Sequence, residues 1–270
     1  MPDGRCEGLK LLQGDCLELM KDIPDKSIDM VLCDLPYGTT KNSFDSRLPL
    51  EALWGEYKRI IKDNGCIALF AQTPFDKILG ASNLEMLKYE WIWEKPMATG
   101  QLNCNFCPMK AHENILIFSK SAACYVKDKS KAMVYHPQMT EGKPYKAVSG
   151  RASTNYDTKW SKETLTVNTG TRYPRDIQRF PHDKKKFHPT QKPVPLLEYL
   201  IKTYTNEGET VLDNCMGSGS TGVAAVNTNR DFIGIELDEH YFEIAKQRIE
   251  KAMTKQPTPN QKGGTCVSVS

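Results

Sequence analysis

The sequence predicts an α/β fold with a mostly parallel central sheet. Short apolar runs of strand length alternate with segments of helical period, a glycine-rich turn links one such run to a helix, and 270 residues suffice for one full core plus an insertion. Ile28 to Cys33 reads as a buried strand, and Leu50 to Ile61 as a helix that Asn64-Gly65 brings to a stop. Cys66 to Ala71 follows as the next strand and Thr73 to Leu87 as the next helical segment. From about Ser119 to Phe187 periodicity is weak. It returns with the strand Thr210 to Asp213, the helix Val223 to Asn227, the strand Phe232 to Ile235 and the helix Glu239 to Met253. Pro257 and Pro259 discourage continuation of that helix, and the polar tail from Thr254 to Ser270 is expected to be disordered.

Asp34-Leu35-Pro36-Tyr37-Gly38 closes the first of these strands. It places a carboxylate, a main-chain carbonyl and an aromatic ring at a strand's C-terminal edge, where open α/β sheets bind ligands. Such a set can hold both N–H groups of an exocyclic amino group, Asp34 accepting one and the carbonyl of Leu35 or Pro36 the other. Tyr37 supplies a ring on which a base turned out of a helix can stack. Taken alone, the five residues suit an ordinary Pro-Gly turn equally well.

Asn214-Cys215-Met216-Gly217-Ser218-Gly219-Ser220-Thr221-Gly222 follows the strand that ends in Asp213. Glycines there let backbone amides approach a ligand, and Glu236, at the end of the next strand, is placed to accept both hydroxyls of a ribose. Gly217-x-Gly219-x-x-Gly222 also satisfies the dinucleotide fingerprint of nicotinamide-dependent dehydrogenases. That reading leaves Asp34 to Gly38 unexplained, whereas S-adenosylmethionine has the ribose and brings an electrophilic methyl group for an amino group held at Asp34.

A third segment, Phe187-His188-Pro189-Thr190-Gln191-Lys192-Pro193-Val194-Pro195, lies between these two. In this order the chain resembles the β group of amino DNA methyltransferases, the S-adenosylmethionine-dependent enzymes of adenine N6 and cytosine N4, from roughly Leu11 to Lys251. The resemblance implies a Rossmann-like methyltransferase fold, circularly arranged with the catalytic half (1–118) first. A target-recognition insertion (119–187), a cofactor-binding half (188–253) and the tail (254–270) follow. It implies catalytic roles for Asp34, Leu35, Pro36 and Tyr37. Cofactor contacts fall to Asp15, His188, Thr190, Lys192, Asp213, Gly217, Gly219 and Glu236, with Asp15 on the adenine and Lys192 paired with the cofactor's carboxylate. Ile92-Trp93-Glu94-Lys95-Pro96 and Ala111 to Phe118 resemble the family's strand blocks; His112 and Glu113 read either as a hydrogen-bonded structural pair or as direct participants. Leu35 stands where the family usually has proline and still supplies a carbonyl. Asp at the first position resembles the adenine N6 members. Cytosine N4 is the alternative; methylation of RNA or of a protein amide, and DNA binding without turnover, are further ones.

Net charge is +3, but from Lys110 to Lys192 17 Lys and Arg stand against 7 Asp and Glu. This excess, interleaved with Tyr125, Tyr135, Tyr145, Tyr156, Trp160 and Tyr173, points to a nucleic-acid partner, with a solvated loop-rich insertion as the alternative; the resemblance implies that the partner is duplex DNA. Lys184, Lys185 and Lys186 read as phosphate-facing, and Arg151, Arg172, Arg175 and Arg179 as candidates for guanine edges. Nine cysteines without a signal-peptide core suggest reduced thiols. Cys104-x-x-Cys107 has no second pair, so no metal is expected, and Cys33, inside an apolar strand, reads as a buried thiol and not as a nucleophile. No run reaches membrane-spanning length, and a cytoplasmic location is expected. The resemblance leaves room for a homodimer and a companion restriction endonuclease.

Overall fold

A computed structural model of the chain describes residues 8–37, 48–124, 126–128, 131–149, 164–185, 187–188 and 191–255. In chain order the elements are β1 (Leu9–Gln13), α1 (Cys16–Leu19), β2 (Ile28–Asp34), α2 (Leu50–Ile60), β3 (Ile61–Ala71), α3 (Phe75–Ala81), β4 (Leu87–Thr99), β5 (Lys110–Phe118), β6 (Thr140–Glu141), β7 (Tyr145–Ser149), β8 (Thr164–Asn168), β9 (Thr171–Arg172), β10 (Ile177–Arg179), α4 (Val194–Tyr204), β11 (Thr210–Asp213), α5 (Ser220–Asn227), β12 (Asp231–Glu236) and α6 (Glu239–Met253). Eight strands form one sheet in the order β1-β12-β11-β2-β3-β5-β4-β10. Within it β5 alone runs antiparallel to its neighbours. The mostly parallel sheet expected from the sequence is therefore present.

Strand alternation divides the core. Val31 and Cys33 of β2 and Ile67, Leu69 and Ala71 of β3 pack with Leu53, Trp54, Tyr57 and Ile60 of α2 on one face. Met30, Leu32, Cys66, Ala68 and Phe70 pack on the other with residues of α4, α5 and α6. Because β2 is covered on both faces its sequence is a near-continuous apolar run and not an alternating one. The buried α2 positions recur at helical spacing, and each contributes roughly 1.5–3 kcal/mol when fully buried. Helix α2 follows β2 onto one face, while α5 follows β11 onto the other. As β2 and β11 are neighbours, the crevice at their carboxyl ends is a topological switch point.

Two local expectations fail. Helix α2 ends at Ile60 without Asn64-Gly65, which lies inside β3. Pairing with β2 overrides the turn signal there: the register shifts between Ile28 and Met30, and a Cβ at Gly65 would stand 2.8 Å from the carbonyl oxygen of Asp29. The helical segment expected from Thr73 to Leu87 yields only the short α3.

A compact unit, 137–175, separates from the rest of the chain. It holds two ribbons, β6 with β9 and β7 with β8. The insertion expected at 119–187 is wider than this unit, since 119–136 and 176–187 belong to the larger one and β10 joins the main sheet beside β4. The tail beyond Lys255 lies outside the described residues.

Candidate active site

Asp34 is the last residue of β2, level with Phe70 of β3. The Tyr37 hydroxyl donates to its Oδ1 at 2.6 Å, and Lys192 Nζ donates to its Oδ2 at 2.5 Å. Lys192 also lies 3.1 Å from Glu113 Oε2, and Lys95 Nζ donates to Glu113 Oε1 at 3.1 Å. The three side chains of Lys192, Glu113 and Lys95 are at most 8% exposed. Burial pushes the Asp34 carboxyl above its usual range, opposed by the Lys192 ammonium. Burial would raise Glu113 as well, but the Lys192 and Lys95 ammonium groups hold it below the usual range.

The departure from proline at position 35 has a physical account: the Leu35 side chain is 3% exposed and belongs to the core beside α2. Tyr37 sets its ring 5.3 Å from that of Phe75. Gly38 lies outside the described residues. Burial pushes the Cys33 thiol up to about 12, consistent with an inert thiol.

The same sheet edge carries the glycine turn. Gly217 and Gly219 adopt φ of +51° and +75°, which side-chain-bearing residues rarely enter. The Gly217 amide donates to Glu236 Oε2 at 2.8 Å and the Asp238 amide to Oε1 at 2.9 Å, so the carboxylate is fixed with lone pairs to spare. A Cβ at Gly217 would meet nothing nearer than His188 Cδ2 at 4.0 Å, an ordinary van der Waals distance, so the histidine borders the turn without crowding it. At Gly219 a Cβ would fall 2.8 Å from that of Ala245, so this glycine serves the close approach of α6. These features fit a nucleoside ligand held by Glu236 beside the turn.

The segment from Phe187 to Lys192 joins the two halves. His188 borders Gly217, Ser218 Oγ donates to Gln191 Oε1 at 3.4 Å, and Lys192 reaches Asp34. Burial, then the Lys192 charge, pushes the His188 imidazole below its ordinary value. Lys192, which the resemblance pairs with the cofactor's carboxylate, has its ammonium between the carboxylates of Asp34 and Glu113. Asp15 is exposed, and its Oδ1 caps α1 by accepting from the amides of Leu17 at 2.8 Å and Glu18 at 3.4 Å. It lies two residues beyond Gln13, which is in register with Glu236. Thr190 lies outside the described residues.

Asp213 is 3% exposed at the end of β11 and accepts from the Cys215 amide at 3.1 Å. Burial pushes its carboxyl up to about 6. A raised folded value means that the folded state holds the proton more tightly, so stability falls as pH rises from about 4 to about 6 and levels above. Asp213→Asn is therefore expected to be more stable than the wild type at pH 7.5, by up to about 3 kcal/mol, and indistinguishable near pH 4. Urea unfolding at the two pH values measures the difference.

Among the arginines proposed for base reading, Arg172 is committed locally. Its guanidinium donates to Asn168 Oδ1 at 2.6 Å and lies 4.7 Å from the centre of the Tyr145 ring. Arg179 pairs with Glu94 at 2.7 Å while remaining largely exposed. Lys184 and Lys185 are exposed, the latter 4.7 Å from the Phe187 ring. Arg175 is exposed, and Arg151 and Lys186 lie outside the described residues. His112 is exposed and is not the partner of Glu113. Among the described residues no group of three His, Cys, Asp or Glu is placed to hold a metal ion, and no helix is long and apolar enough to cross a membrane.

Sequence reasoning missed Lys95 and the true partners of Glu113. It also missed Tyr57, which ties α2 to the glycine turn by donating to Asn214 Oδ1 at 2.5 Å, and Arg248, which donates to the Ser218 carbonyl at 2.5 Å. The Glu94-Lys95 pair that follows the apolar run Trp91-Ile92-Trp93 is the available signal for the first.

Comparison with known proteins gives the chain's relatives. The chain is 28% identical over 255 residues to the type II methyltransferase M.HpaI of Haemophilus parainfluenzae, covering 89% of this chain and 74% of that one. It is 28% identical over 264 residues to the DNA adenine methyltransferase YhdJ of Escherichia coli (strain K12), covering 91% and 84%. The fold is shared with M1.HpyAVI, solved in complex with SAM, at TM-score 0.58 and 24% identity over 89% of this chain and 98% of that one. It is shared too with the cytosine-N4-specific PvuII DNA methyltransferase, at TM-score 0.65 and 15% identity over 92% and 91%. A family model described as DNA methylase, covering the N6 and N4 enzymes, matches residues 28–247, and the chain belongs to that family.

Proposed function

We propose that the protein methylates the N6 amino nitrogen of an adenine flipped out of duplex DNA, using S-adenosylmethionine as donor. The observation that carries this reading is the convergence, on one sheet edge, of the Asp34 carboxylate with the glycine turn and the fixed Glu236, bridged by the segment from His188 to Lys192. Bound S-adenosylmethionine supplies an electrophilic sulfonium methyl group. Glu236 accepts the ribose hydroxyls, and Gly217 and His188 border the space beside it. Asp34 accepts one N–H of the target amino group and the Leu35 carbonyl the other, which localises the nitrogen lone pair in line for displacement. Tyr37 stacks on the base. The nitrogen gains a methyl group and loses one proton, to water or through Asp34. Asp at position 34, and the adenine methyltransferase named among the relatives, favour adenine over cytosine N4.

In this reading 1–118 and 188–253 supply the catalytic and cofactor halves, and 119–187 reads the target. Transfer of labelled methyl groups from S-adenosylmethionine into duplex DNA, and not into RNA or bulk protein, tests the substrate class. Changing Lys184, Lys185 and Lys186 together to Ala should weaken DNA binding and flatten the log-log salt slope by about 2–3, as three lost phosphate contacts require. An unchanged slope removes them from the DNA path.

A further inference from the structure

We propose that Lys95, Glu113 and Lys192 form a buried positioning relay in which Glu113 and Lys95 hold the Lys192 ammonium in place and that ammonium orients Asp34 and favours its ionised form; this rests on the methyltransferase reading of Asp34. The four charges alternate in sign, from Lys95 on β4 through Glu113 on β5 and Lys192 before α4 to Asp34 at the end of β2. Their contacts are 3.1, 3.1 and 2.5 Å. Each of the four comes from a different segment, so the geometry is set by the fold and not by one flexible loop.

The physical need is clear from the reaction. A base entering over Asp34 strips water from a carboxylate that is already largely enclosed, and desolvation favours the protonated acid, which has lost acceptor capacity. The Lys192 ammonium opposes that drift. A buried lysine is itself costly unless matched, and Glu113 supplies the match on its far side. Glu113 in turn is held by Lys95, leaving the group with no net charge. The other titratable groups facing Asp34 are Tyr37, which donates to Oδ1, and the buried Cys33 and Asp213. None of them is a cation, and the positive charge in direct contact with the carboxylate is that of Lys192.

Lys192 and Glu113 therefore act on Asp34 in opposite senses. With carbon-13-labelled aspartate, the Asp34 carboxyl signal, identified by its absence in Asp34→Asn, is titrated in the resting protein. Lys192→Met is expected to move that titration up by about one pH unit or more, and Glu113→Gln to move it down by a smaller amount. The acid limb of kcat on duplex DNA should follow in both variants, with the dissociation constant for S-adenosylmethionine within about threefold of wild type. Where Lys192→Met does not fold, Lys192→Gln serves, keeping a donor without the charge. Titrations that do not move, or that move in the same direction, overturn the relay. So does a tenfold or greater loss of S-adenosylmethionine binding in Lys192→Met with Asp34 unmoved, which would return the lysine to the cofactor's carboxylate. Because the carboxyl titration needs no DNA, an absence of methyl transfer in the wild type would sink the proposed function without deciding this one.

Discussion

Asp34→Asn is expected to slow single-turnover methyl transfer by at least about 10²–10³-fold while the S-adenosylmethionine dissociation constant stays within about twofold. Loss of one oriented group that acts in the transition state costs about 2.7–4 kcal/mol in comparable sites. Asparagine keeps an acceptor oxygen but turns a donor toward either Tyr37 or Lys192, both of which now donate to the carboxylate. Calorimetric titration with the cofactor separates the two effects. Equal loss of binding and turnover would make the carboxylate a structural element of the sheet edge.

Glu236→Ala has the converse profile. Two hydrogen bonds from ribose hydroxyls to an ionised carboxylate are worth about 1.5–3 kcal/mol each, so cofactor affinity should fall by about 10²-fold or more. At saturating cofactor kcat should remain within a few-fold, because Glu236 touches neither the amino group nor Asp34. Glu236→Gln, retaining one acceptor for the Gly217 or Asp238 amide, should fall between. A variant that binds normally but turns over slowly would move Glu236 out of the ribose site.

The parts of this site that were legible in the sequence are those written locally. Asp34 to Tyr37 at the end of a run buried on both faces, and the glycines before α5, each declare themselves within ten residues. What escaped was set by distant pairing. Asn64-Gly65 carries a turn signal, yet the backbone of Asp29 lies against it and β3 runs through. Strand β10, three residues long, is too short to show a period and is recruited by β4. The partnership of Lys192 with Asp34 spans 158 positions, and that of Lys95 with Glu113 depends on the register of β4 against β5. That register sets Trp93 opposite Glu113, and no spacing rule in the sequence encodes it. Resemblance alone places Lys192 near the cofactor, and its contact with the Asp34 carboxylate is visible only in the fold.

Nucleoside mass spectrometry on unmethylated genomic DNA incubated with the protein and S-adenosylmethionine decides whether the protein methylates adenine in DNA. N6-methyladenine is expected, and is expected to be absent when Asp34→Asn replaces the wild type. N4-methylcytosine in its place, or unmodified DNA from a protein that binds S-adenosylmethionine, would rule adenine N6 methylation out.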